Sequence, residues 1–292
     1  MESGSGTETI WSTEFPRLPR SCPLRAHHLV AEAASGTRPV DDVEDPVDPT
    51  MTAEVYGVLR EHPWIGQVSA DHDLDEDLFA LAVKRAAAYG WSSTRFSAGA
   101  ELGGQRWGHA DAGGDWSQDG RVRQLAWLTV YPATGLREQH LPVLPLTRVM
   151  VDSLGRVGEL DFTGLTVRVP VRLAPDTRFD LVGDADWFAL AAPDARTEAA
   201  VSVLGAVGTE AEQLRELVVR RGHGQLRAEL RAGAHDRTAF ACDLPEWTPD
   251  AAAWLAEVFV DALRAAGVRD TVEIAITREP RTPHRPAGVS HP

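Results

Sequence analysis

The residues best equipped for chemistry sit in one glycine-rich stretch, Leu102–Arg121, which reads LGGQRWGHADAGGDWSQDGR. It holds Trp107, His109, Asp111, Asp115 and Trp116. A histidine titrates near neutrality, so His109 can serve as acid, base or ligand, with Asp111 or Asp115 orienting its ring. Trp107 and Trp116 are large flat rings that can wall an organic substrate. The competing reading is a solvated loop whose tryptophans fold back onto the protein. One histidine and two carboxylates fall short of the three or more protein ligands a metal site needs, so neither a metal nor another cofactor is expected.

Other polar groups read as structural. The run Asp71–Asp77 looks superficially like a calcium loop, but its sixth position is Glu76 where a sharp turn needs glycine. It also enters a helix at once, where acidic residues complement the macrodipole. His223 lies between Gly222 and Gly224 at a helix exit, His235 and Asp236 lie in a turn, and His27 and His28 precede the folded part. No nucleophile elbow, phosphate loop, dinucleotide fingerprint, zinc-protease motif or C-x-x-C occurs, which argues against the commonest hydrolase, nucleotide-binding and zinc classes.

Charge narrows the partners. The 292 residues carry a formal net charge of -14, which repels polyphosphates, so nucleic acid and anionic membrane surfaces are not expected partners. A small-molecule ligand or a protein partner remains, and the oligomeric state is open. Lys84 is the only lysine among many arginines, a coding bias of the kind seen in actinobacteria rather than a chemical signal. Two cysteines, a start without an apolar signal and no window of about 20 apolar residues point to a cytoplasmic protein.

The elements that must hold such a site are clearest in the last third. Glu198–Val207 alternates as a strand; Thr209 opens a capping box for a helix carrying Leu214, Leu217 and Val218, which ends at Gly222 in a left-handed cap. Gln225–Ala232 and Thr238–Leu244 alternate on either side of a turn. Thr248 and Pro249 start a second helix that runs to Gly267, and Thr271–Arg278 closes as a strand with Val272, Ile274 and Ile276 aligned. The order is β-α-β-β-α-β, the ferredoxin-like arrangement, with both helices over one sheet face. Its outward residues lack the stacking aromatics of RNA-binding sheets.

The middle of the chain repeats this order more faintly. Expected there are a strand at Trp64–Ala70, a helix at Asp75–Tyr89, strands at Thr94–Glu101 and Val122–Tyr131 flanking the glycine-rich loop, a short helix at Leu146–Leu154 and a strand at Leu165–Leu173. The expectation is an α+β fold of two ferredoxin-like (βαββαβ) halves, mainly antiparallel sheets with helices on one face. Tandem duplication and chance likeness both account for the repeated order. The domains are a disordered acidic leader at 1–50, an N-terminal half at 51–173, a connecting hairpin or linker at 174–198, a C-terminal half at 199–278 and a loose tail at 279–292. On this frame, a cleft between the halves binds a small organic molecule under the glycine-rich loop, with acid–base enzymology by His109. The rival is a non-catalytic interaction module such as a chaperone, adaptor or assembly subunit.

Overall fold

The computed structural model describes residues 50–67, 78–88, 107–132, 143–173, 181–206, 210–233 and 236–279. The expected strand at Thr94–Glu101, the acidic run at 71–77, the leader at 1–49 and the tail from 280 onward lie outside them.

Apolar alternation begins directly at Met51: Met51, Ala53, Val55 and Leu59 are buried while Thr52, Glu54 and Tyr56 are not, and Met51–Glu61 is strand β1. This corrects the expected first strand at Trp64–Ala70; Trp64 instead is 42% exposed and stacks on His62. Helix α1 follows at Leu78–Ala88, then β2 at Trp107–Gly113 and β3 at Arg123–Pro132. Helix α2 runs over Val143–Val157, longer than the expected short helix, and leads straight into β4 at Gly158–Pro170. Thr147 and Ser153 are buried on α2, and each hydroxyl donates to the carbonyl four residues back, so neither is left unsatisfied.

The stretch expected as a hairpin or linker contains helix α3, Leu181–Phe188, where Phe188 packs against Trp254 with ring centroids 5.2 Å apart. That aromatic contact anchors the segment to the helical layer. Beyond it come β5 (Thr197–Leu204), α4 (Ala211–Arg221), β6 (Arg227–Arg231), β7 (Arg237–Leu244), α5 (Pro249–Ala265) and β8 (Thr271–Arg278). Helix α5 starts as its sequence requires, with Thr248 Oγ1 accepting from Ala251 N and proline at the first position. Two capping expectations are corrected. The residue before α4 that caps it is Glu210, without a side-chain bond, and Gly222 has φ -74; the left-handed residues at that exit are His223 and Gly224. A turn over residues 222–224 ends the helix there, with Gly222 N bonded to Val218 O and the chain reversing through His223 and Gly224.

The described strands form one eight-stranded sheet in the order β2-β3-β1-β4-β8-β5-β7-β6, every neighbouring pair antiparallel. The fold is thus mixed α+β, and the chain from Pro46 onward forms one compact unit. The sheet is continuous at its middle, β4 pairing with β8 from Gly164–Thr277 to Pro170–Thr271, which leaves no gap there for the expected cleft between two halves. The helices pack on one face, with α5 central among α2, α3 and α4. Trp254, Phe240 and Phe259 are fully buried there, each contributing about 1.5–3 kcal/mol of transfer free energy. Buried polar groups tie the layers together. Glu257 on α5 accepts from the first amide of α2, Val143 N, at 2.7 Å, and Asp261 is held by Arg221 at 2.9 Å and Arg264 at 2.6 Å. Both carboxylates are nearly inaccessible, so pairing is the condition of their being there.

Candidate functional site

The segment expected as one long loop is half strand. Trp107–Gly113 has no apolar alternation, but as an edge strand it needs only the β3 ladder to hold it, and it pairs from Trp107–Pro132 to Gly113–Trp127. Trp107 and His109 therefore occupy register positions on β2, His109 opposite Val130. A bulge between His109 and Asp111 resets the register so that Asp111 lies opposite Thr129. Asp111 is exposed, and its Oδ1 accepts from Ala112 N at 2.9 Å.

The true connection, 114–122, is ordered by its own side chains. Asp115 Oδ1 accepts from Ser117 N at 3.0 Å and from Ser117 Oγ at 2.5 Å, while its Oδ2 accepts from Arg123 at 2.5 Å. Arg123 also donates through Nε and a terminal nitrogen to Asp119, at 3.2 and 2.5 Å. The Ser117 bonds, then Arg123, hold the Asp115 carboxyl below its usual range, and Arg123 does the same for Asp119. The guanidinium between two carboxylates is correspondingly harder to deprotonate than usual. Trp116 turns inward: its Nε1 donates to Leu125 O at 2.8 Å, and the ring packs on the core. Gln118 accepts from Glu61 N at 3.0 Å, fastening the loop to the end of β1. Asp115 and Trp116 thus both have structural duties.

Beside this loop lies an open depression of about 440 Å3, lined by Gly114, Asp115, Val122, Arg123, Gln124 and Trp127. Trp127 is the ring that walls it. A Cβ on Gly113 would come within 2.6 Å of Trp127 Nε1, so the indole lies where only glycine leaves room. Of the five residues singled out in the sequence, Asp115 lines the depression; Trp116 does not.

Trp127 also belongs to a larger surface that sequence reasoning missed, the sheet face on which none of the described helices packs. Pairing places Asp111, Thr129, Thr52, Arg168, Glu273, Leu204 and Arg237 in one row across it, and Trp127, Glu54, Thr166, Ala275, Ser202 and Ala239 in the next. Thr52 and Thr129 hydroxyls bond across the strands at 3.0 Å. Tyr56 donates its hydroxyl to Glu54 Oε2 at 2.5 Å; burial first, and that bond second, push its phenol up to about 12. Glu273 accepts from Arg168 at 3.2 Å and Arg237 at 3.0 Å. Burial opposes its ionisation, yet the two guanidinium bonds outweigh it and leave the carboxyl below its usual range. A phenol held in its protonated form donates hydrogen bonds and is no base at neutral pH. Among the described residues no group of three or more histidine, cysteine, aspartate and glutamate side chains is placed to hold a metal ion.

No protein family, curated protein or solved structure matches the chain. No helix among the described residues is long and apolar enough to cross a membrane.

Proposed function

We propose that this protein binds a small polar organic molecule in the depression beside Trp127, at the base of the β2–β3 hairpin. The observation that carries the reading is the coincidence of an aromatic wall, the Asp115–Arg123 pair and Gln124 around about 440 Å3, a size within the range of ligand sites. The lining is richer in hydrogen-bonding groups than an apolar pocket, hence the polar ligand. If the protein turns its ligand over, His109 is the acid–base group and Asp111 its neighbour on β2; that part rests on residue type and strand position. The test is a fluorescence titration with a panel of small aromatic acids, amides and amines. Saturable quenching is expected in the wild type and lost in Trp127→Phe, while His109→Ala and Asp111→Ala weaken binding or turnover. Unchanged titrations in all three folded variants remove the site.

The same proposal takes each half as a ferredoxin-like unit and the pair as a tandem duplication. The repeated order β-α-β-β-α-β supports it, as does a strand order that reads the same from either end of the sheet, 2-3-1-4 against 6-7-5-8. It takes the protein as cytoplasmic, in keeping with Cys242, a buried free thiol that burial pushes up to about 12 and makes unreactive.

A second reading draws on a different observation. A broad face across eight strands on which none of the described helices packs favours a non-catalytic interaction module, which needs a wide surface rather than a pocket.

A further inference from the structure

The depression beside Trp127 has an aromatic wall and also a sign of charge, and the sign selects among ligands. Strands β1 to β4 and the connection 114–122 carry seven carboxylates and four arginines. Each of these arginines is already matched. Arg60 stands opposite Glu159 in the β1–β4 register, Arg121 Nε lies 3.7 Å from Asp119, and Arg168 binds Glu273. Arg123 is the cation in the lining, and all three of its guanidinium nitrogens donate to Asp115 or Asp119. Those two carboxyls are held below their usual range, so both are charged at neutral pH. An anion entering here would meet Asp115 beside a guanidinium that is already shared.

The surplus of acids reaches the ring itself. Register places Glu54 directly opposite Trp127, which sets Cβ atoms about 5 Å apart. Asp111 lies on the diagonal across β2, at about 7–8 Å by the same geometry. Glu54 gives Oε2 to the Tyr56 hydroxyl and Asp111 gives Oδ1 to Ala112 N; the second oxygen of each has no partner among the described residues. An indole face attracts cations through its quadrupole, and carboxylates at its rim add to that attraction. Among the described residues no three ligating side chains meet around a metal ion. The positive charge therefore fits best on a carbon skeleton that packs against the ring.

We infer that the depression takes a small organic ammonium ion, its apolar body against the Trp127 indole and its charge in the field of Glu54, Asp111 and Asp115. The inference rests on the small-molecule reading of this site and adds the charge of the ligand.

Three probes of one skeleton separate charge from shape: benzylamine, benzamide and benzoate. Titrations of the full chain at neutral pH follow the Trp127 indole N–H resonance, identified by its loss in Trp127→Phe. Benzylamine is expected to shift it saturably and to bind about fivefold or more tighter than benzamide, with benzoate weakest. Glu54→Gln and Asp111→Asn each weaken benzylamine about two- to threefold, the attraction of one charge at about 7 Å through water, and leave benzamide where it was. Raising the salt to about 0.5 M has the same selective effect. Benzamide or benzoate binding as tightly as benzylamine, or an amine affinity indifferent to both substitutions, overturns the cation and leaves a ligand site at Trp127. No saturable shift with any of the three probes removes the site together with the inference. Circular dichroism establishes that the variants fold. Where Glu54→Gln does not, Asp111→Asn on the edge strand and the salt dependence carry the same test.

Discussion

The two hairpins at the ends of the sheet, β2–β3 and β6–β7, hold equivalent places in the strand order and have been finished differently. The outer strand β6 is short and points Arg227, Glu229 and Arg231 away from the core, with Arg231 reaching Glu198 at 2.5 Å; its connection to β7 spans 232–236. Charge and shortness defend that edge. The outer strand β2 is defended by a bulge instead, and its connection is the longer 114–122, stiffened by Asp115, Asp119 and Arg123. One topology therefore yields a plain end and an equipped end. The aromatic wall, the ion network and the depression are all at the second. The ion network and the depression are local, while the scaffold is shared.

The sharpest way to break that contrast is to ask whether the scaffold is shared at all. Phe240 is fully buried at the plain end, stacked edge-on against Phe259 at 5.2 Å. Phe240→Ala should cost about 3–5 kcal/mol, the usual range for deleting a buried aromatic. Because β4 and β8 pair and Glu257 caps α2, the equipped end should unfold in the same transition. Chemical denaturation followed at once by circular dichroism and by tryptophan emission checks this. Two separated transitions would show that the halves are independent bodies.

A smaller effect sharpens the contrast at the depression. Gly113→Ala sets a methyl against the Trp127 indole, which must move or strain, at a cost of about 1–3 kcal/mol. The stability loss should come with a changed emission spectrum that is absent in Trp127→Phe. An unchanged spectrum would mean that glycine at this position does not seat the ring. Smaller again is the comparison of Arg123→Ala with Arg231→Ala. The first removes the guanidinium joining two loop carboxylates, so amide hydrogen exchange across 115–121 should quicken. The second breaks an exposed pair and should leave exchange in β6 as it was.

The equipped end was also the harder one to read. Thr271–Arg278 and the start of α5 at Thr248 and Pro249 were legible end to end, because strict alternation and a capping pair are local signals. Strand β1 was missed although Met51, Ala53, Val55 and Leu59 alternate, since Met51 reads as a start and Gly57 interrupts the pattern. Strand β2 has no apolar signature, and its strand character comes wholly from pairing with β3. In the glycine-rich stretch the depression is walled by Trp127, which lies beyond the stretch, while Trp116 turns inward; the sequence carries no signal for either placement, because both depend on the pairing of β2 with β3. The open-face cluster could not be assembled in advance: Glu54, Thr166, Glu273 and Arg237 come from four strands, and only register makes them neighbours.

The smallest predicted effect bears on that cluster. Tyr56 has its phenol raised from 10.0 to about 12, by burial and by its bond to Glu54. A raised folded value means the fold prefers the protonated phenol, so the stabilisation is complete below pH 10 and is lost as pH rises through about 12. At neutral pH, Tyr56→Phe removes the hydrogen bond and lowers the melting temperature slightly. Between pH 10 and 12 the wild type alone must lose a proton it holds tightly, so the gap between the two proteins should narrow. The tyrosinate absorbance of the wild type minus that of the variant isolates this one phenol from Tyr89 and Tyr131. A difference titration centred near 10, with a constant gap in stability, would show that Tyr56 stands in water and that the open face at the equipped end is as bare as its small side chains make the other.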